Sequence, residues 1–120
     1  MDRIKDIDNY IDHIDTNKPL TVITDKDLCV CLEQRVVQVS GIEINFTRQE
    51  FDALYLLFSN RKRVMTFKMI SIFVWGEEYA DVSSKVVSNL ISRVRQKLRI
   101  EANSQDYIKS IHGIGYKFDP

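Results

Sequence analysis

Between Ser83 and Arg99 the chain carries five cationic side chains, Lys85, Arg93, Arg95, Lys97 and Arg99, and no acidic one. Laid on a helix at about 100° per residue, Val87, Ile91, Val94 and Leu98 fall on one stripe, and Lys85, Asn89, Ser92, Arg93 and Gln96 fall opposite. One face can be buried and the other presented. A helix of this length runs roughly 25 Å and fits the major groove of B-form DNA, about 12 Å wide. The presented side chains suit that groove. Arginine pairs bidentately with guanine O6 and N7, asparagine and glutamine with adenine N6 and N7, and serine can donate or accept. Lys85, in the first turn, opposes the helix macrodipole at a cost of about 0.3–1 kcal/mol unless an anion such as a phosphate is held there. The alternative is a solvated basic face on an ordinary helix, and this stretch alone does not separate the two.

Other chemistries lack the residues they need. His13 and His112 are isolated, no nucleophile stands at informative spacing from a base, and no P-loop occurs, so neither an enzyme nor a cofactor is expected. Cys29 and Cys31, two apart in an apolar run, would point to one face of a strand. That geometry is poor for a mutual disulfide, and two thiols are too few for structural zinc. They read as small buried hydrophobes in a reducing compartment. Gly113-Ile114-Gly115 could suggest a phosphate cradle, but a strand and the chain end follow it, not a helix.

The 120 residues, 44% of them apolar, suffice for one domain with a modest core. No apolar run of transmembrane length and no signal-peptide pattern occurs, so the reading is a soluble, cytoplasmic protein with no membrane partner. Net charge is zero, but it is unevenly spread. Residues 1–34 hold four basic and eight acidic side chains, whereas residues 83–100 hold five basic and none acidic. The molecule is a dipole whose positive end is the basic helix.

The surrounding elements follow in order. In residues 1–18, Ile4, Ile7, Ile11 and Ile14 make two heptads of an a/d seam among aspartates, read as an amphipathic segment that docks on its own domain or is only partly ordered, or else self-associates or links to another domain. Pro19 ends it. Leu20–Thr24, Leu28–Leu32, Arg35–Val39 and Ile42–Asn45 read as four strands of an antiparallel meander, the middle two joined by two residues and the last two by Ser40-Gly41. Thr47-Arg48-Gln49-Glu50 is a capping box opening a helix with Phe51, Leu54, Tyr55 and Phe58 on its apolar side. Arg61-Lys62-Arg63 at its end suits the dipole or a phosphate. A second helix is predicted with Thr66 as N-cap, Phe67, Ile70 and Phe73 buried, and Gly76 as a left-handed cap after Trp75. Trp75 is core, a platform at the DNA backbone, or both. Glu77–Val82 then turns into the basic helix, giving helix, turn, helix with the second helix as reader. Arg95 lies close to the buried stripe, which favours a structural ion pair or a flanking phosphate over base reading. After a polar loop, Asn103–Asp106, the runs Tyr107–Ile111 and Tyr116–Phe118 flank His112-Gly113-Ile114-Gly115, a tight hairpin placed as a wing.

Four motifs in this order resemble the winged-helix effector domain of OmpR/PhoB-class bacterial response regulators. They are Phe46-Thr47-Arg48-Gln49-Glu50-Phe51-Asp52-Ala53-Leu54, Val74-Trp75-Gly76, Ile91 through Leu98, and Tyr107-Ile108 leading to Gly113-Ile114-Gly115-Tyr116-Lys117-Phe118. The resemblance covers residues 20 to 119 and implies an α+β winged helix: an N-terminal antiparallel four-stranded sheet, three helices and a C-terminal hairpin wing. It also implies binding of double-stranded promoter DNA for transcription regulation, with copies associating on the DNA. Carried over by position, Arg93, Ser92 and Asn89 face bases or phosphates, and Lys85 and Trp75 hold the backbone. Ser110, His112 and Tyr116 belong to the wing. Glu77–Val82 corresponds to the segment that touches RNA polymerase. Leu90 and Asn89 depart from the family's usual polar and aliphatic residues, and His112 stands where arginine is common. A phosphorylatable receiver is not among these 120 residues; the chain is the effector part of a longer regulator or a receiver-less relative. The competing reading is a winged-helix protein-interaction module.

Overall fold

The computed structural model describes residues 19–99 and 107–119. The isoleucine seam of residues 1–18 and the polar loop at 103–106 lie outside these. Four short strands come first: β1 (Val22–Asp25), β2 (Leu28–Cys31), β3 (Val36–Val39) and β4 (Ile42–Ile44), paired antiparallel in sequence order. The register puts Val30 opposite Val37, and Val37 opposite Ile44. Leu28, Val30, Val37 and Val39 are thereby buried on one face, as period-two alternation requires. Ser40 and Gly41 both adopt positive φ, +51° and +82°, the twist that a two-residue hairpin needs. The β2–β3 connection is longer than the expected two residues. Leu32 and Arg35 leave the strands because Arg35, at φ +54°, closes a four-residue turn through its N–H to Leu32 O. Cys29 and Cys31 are free thiols, half-buried and buried.

Helix α1 (Arg48–Ser59) begins at the capping box. The Glu50 N–H donates to Thr47 Oγ1 at 3.2 Å, and the Thr47 N–H donates to Glu50 Oε1 at 2.8 Å. Its apolar side, Phe51, Ala53, Leu54, Leu57 and Phe58, is buried in a core shared with the other helices and the sheet residues. Arg61, just past its end, pairs with Asp25 at 3.2 Å and covers the Phe58 ring, so that cation holds α1 to β1.

Strand β5 (Val64–Thr66) follows and was not expected. It pairs with β7 (Gly115–Phe118), which pairs with β6 (Ile108–Ile111), so the C-terminal hairpin sits in a three-stranded sheet ordered β5-β7-β6. Helix α2 (Phe67–Trp75) starts at Thr66, whose hydroxyl accepts from the Met69 N–H at 3.1 Å. It buries Ile70, Ser71 and Val74 rather than the expected Phe67, Ile70 and Phe73. Phe67 is half-buried, edge-on to Tyr116, and Phe73 is turned out toward Tyr55. Gly76 has positive φ (+108°) but extended ψ (166°), so it is not the left-handed cap expected; the chain runs directly into a 3₁₀ turn, Glu77–Tyr79. Helix α3 (Ser84–Leu98) buries Val87, Ile91, Val94 and Leu98 as its stripe predicts, and Leu90 as well.

Candidate nucleic-acid interface

Helix α3 rests on α1 and α2 through its apolar stripe, which fixes what it presents. Lys85, Asn89, Ser92, Arg93 and Gln96 are all exposed. Leu90, which departs from the family's usual polar residue, is fully buried and widens the seat beneath the exposed face. Four of the expected contacts, Lys85, Asn89, Ser92 and Arg93, thus lie on one continuous polar surface.

The two flanks of α3 are anchored differently. On the α1 side Glu50, 2% exposed, faces two cations: Lys97 bonds its Oε1, and Arg93 Nε stands 3.6 Å from its Oε2. Burial raises the Glu50 pKa, but the bond from Lys97, the Thr47 N–H and the Lys97 charge outweigh it, holding the carboxyl below its ordinary value. Arg93 remains half exposed (51% of its side chain), so the pair steadies it without withdrawing it. On the other flank Arg95 donates to Ile108 O at 2.9 Å and to Ser110 Oγ at 2.8 Å, and its guanidinium lies 5.3 Å from the Tyr116 ring centre. Tyr116, 6% exposed, donates its hydroxyl to Ser88 Oγ at 2.8 Å. Arg95 and Tyr116 therefore clamp the wing to α3. Ser110 belongs to the same clamp, exposed at its edge. Trp75 is half-buried and packs against the core.

Between the first turns of α3 and the wing lies a cleft of about 390 Å³, bordered by Phe67, Ser84, Ser88, Ser110, His112 and Tyr116. His112 is exposed at the wing tip. Ser83 occupies the N-cap of α3 but makes no side-chain cap bond, and the helix's first residue, Ser84, borders the cleft. Ser84 and Ser88 were not among the expected contacts. Their spacing of four, which puts two hydroxyls on one side of the helix, was the available signal.

Cations, amides, hydroxyls and a helix N-terminus thus line one side of the domain, the donor set that phosphates and base edges require. Among the described residues no group of His, Cys, Asp and Glu could hold a metal ion, and no helix is long and apolar enough to cross a membrane.

Comparison with known proteins points the same way. The family model described as "Transcriptional regulatory protein, C terminal" matches residues 41–118. The uncharacterized transcriptional regulatory protein YcbL of Bacillus subtilis is 34% identical over 96 residues, covering 80% of this chain and 42% of that protein. The response regulator ArlR of Staphylococcus haemolyticus is 36% identical over 80 residues, covering 67% of this chain and 36% of its own. The chain thus spans about two fifths of the length of these curated relatives. Among solved structures, the response regulator DrrB of Thermotoga maritima, an OmpR/PhoB homologue, superposes with a TM-score of 0.71 at 29% identity over 82% of this chain and 44% of that one. The DNA-binding domain of Klebsiella pneumoniae RstA, in complex with the RstA box, gives 0.71 at 26% identity over 82% of this chain and 96% of that one.

Proposed function

The chain belongs to the family of C-terminal domains of transcriptional regulatory proteins, DNA-binding winged helices of the OmpR/PhoB type that perform no catalysis, and from this we propose how it engages a promoter duplex. Helix α3 enters the major groove, Asn89, Ser92 and Arg93 meet base edges, and Lys85 with the serine-lined cleft holds the flanking phosphate backbone. The wing, clamped by Arg95 and Tyr116, carries His112 to the adjacent minor groove. The observation that carries this reading is the polar face of α3, exposed along its length while its other side is buried to Leu98.

Because the chain covers less than half of its curated relatives, the activity of a whole regulator is also part of the proposal. The domain serves as the effector of a two-component response regulator or of a receiver-less relative, with copies associating on adjacent half-sites. The segment Glu77–Val82 offers exposed Glu77, Glu78 and Tyr79, and nearby Met69 and Phe73 are 51% and 45% exposed, which supports contact with a protein such as RNA polymerase.

Selection of bound sequences from random duplexes at two salt concentrations tests the reading. With four to six phosphate contacts, log K against log salt should fall with a slope of about −4 to −5. Arg93→Ala should cost about 1–3 kcal/mol and relax preference at one base position, whereas Lys85→Ala should weaken all sequences alike. Binding indifferent to both salt and sequence would instead favour a protein-interaction module.

A further inference from the structure

Val86 is the one large apolar side chain that α3 leaves exposed, at 43%. Single exposed aliphatic residues are ordinary on protein surfaces, so exposure alone decides nothing. Position does. Val86 is the third residue of α3, one turn before Asn89, which the reading above sets against base edges. It shares a row with Asn89 and Arg93, spaced three and seven residues on, and both of those are exposed. Val86 borders the buried stripe at Leu90, four residues on, but at 43% exposed it stays outside the core that Val87, Leu90 and Ile91 fill.

Resting on the DNA-binding reading above, we infer that Val86 is a specificity contact to the 5-methyl group of a thymine, next to or within the base pair whose adenine Asn89 reads. The thymine methyl is the apolar feature of the major-groove edge, and aliphatic side chains recognise it by contact. Val86 and Asn89 are separated by roughly 4.5 Å along the helix axis, close to the spacing of about 3.4 Å between successive base pairs. An aliphatic contact beside an amide capable of bidentate pairing therefore selects an A·T-containing step. Arg93, four residues beyond Asn89, lies over the base pairs that follow.

The experiment uses the full chain and the duplex that selection yields, with each thymine replaced in turn by deoxyuridine, which lacks only the methyl. Loss of one methyl contact should weaken wild-type binding about fourfold, ~0.8 kcal/mol, at one position. Val86→Ala should bind the parent duplex more weakly and be indifferent to that replacement, while Asn89→Ala should remain sensitive to it. An unchanged melting temperature for Val86→Ala would assign the loss to the contact. Equal sensitivity of wild type and Val86→Ala at every thymine would overturn the inference alone and leave the DNA-binding reading intact. Absence of any sequence preference in the wild type would overturn both.

Discussion

Arg93 of α3 and Glu50 of the α1 capping box form an ion pair, Nε to Oε2, at 3.6 Å. One carboxylate therefore ends the helix-start circuit with Thr47 and also sets the azimuth of α3 through Arg93 and Lys97. Local helix chemistry and the aim of the interface share an atom group. The other flank of α3 is held by Arg95 and Tyr116, so the helix is fixed from both sides before any ligand arrives.

Glu50→Gln should destabilise the domain by about 1–3 kcal/mol, because Lys97 and the Thr47 N–H lose a charged acceptor at a buried position. The sign of the pH dependence follows from the lowered carboxyl pKa. Its contribution is fully present above the unfolded value, near 4.5, and is lost as pH falls through the lower folded value. Urea midpoints measured from pH 6 down to pH 3 should fall for wild type, and part of that fall should be missing in Glu50→Gln. Parallel curves for the two proteins would contradict the linkage.

Arg95 and Arg93, two residues apart, should separate stability from binding. Arg95→Ala removes the bonds to Ile108 O and Ser110 Oγ and the cation over Tyr116, and should cost about 1–3 kcal/mol of stability. Arg93→Ala gives up a long, half-exposed ion pair worth no more than ~1 kcal/mol, yet should lose most of the base discrimination at its position. Paired melting and DNA-titration measurements check this, and a larger stability loss for Arg93→Ala would reverse the assignment.

Gly115→Ala should be the most damaging glycine substitution. A Cβ there would stand 2.0 Å from Met65 O, backbone against backbone, where β7 meets β5. The strands must part, and a loss of at least about 3 kcal/mol is expected. Gly113→Ala meets no atom within 4 Å and pays only for its φ of +74°, about 1–2 kcal/mol. Circular dichroism melts of the two variants should differ accordingly.

That close approach also explains what could be read from residues and what could not. The capping box and the stripe of α3 are set by side chains three and four apart, so Thr47, Glu50 and Val87 through Leu98 announced both helices. Strand β5 is three residues long and exists because Gly115, fifty positions away, lets another backbone reach Met65. No local period could reveal it. Helix α2, which follows it directly, turns Ser71 and Val74 inward with Ile70, while Phe73 meets Tyr55 at the surface. The same holds at the interface: the exposed residues of α3 were legible from its wheel, whereas the clamp of Arg95 and Tyr116 depends on where the wing folds back.

The wing tip gives the last prediction. His112 is exposed beside the cleft that joins the wing to α3. A narrow minor groove attracts arginine through its concentrated negative potential, and arginine carries a permanent charge on a longer stem than imidazole. The position follows Ile111 at the end of β6 and precedes Gly113, so a longer side chain there extends into solvent without disturbing the Arg95–Ser110 bond. His112→Arg should therefore tighten DNA binding roughly fivefold, ~1 kcal/mol, at fixed salt near neutral pH. It should steepen the salt dependence as well, by nearly one unit of slope if the new charge meets a phosphate. The gain should persist on duplexes differing only within the major-groove site, as expected of a wing that meets groove shape rather than the bases under α3. Titrations of both proteins at several salt concentrations decide the matter, and equal or weaker binding by the arginine variant would mean that the wing does not reach the duplex.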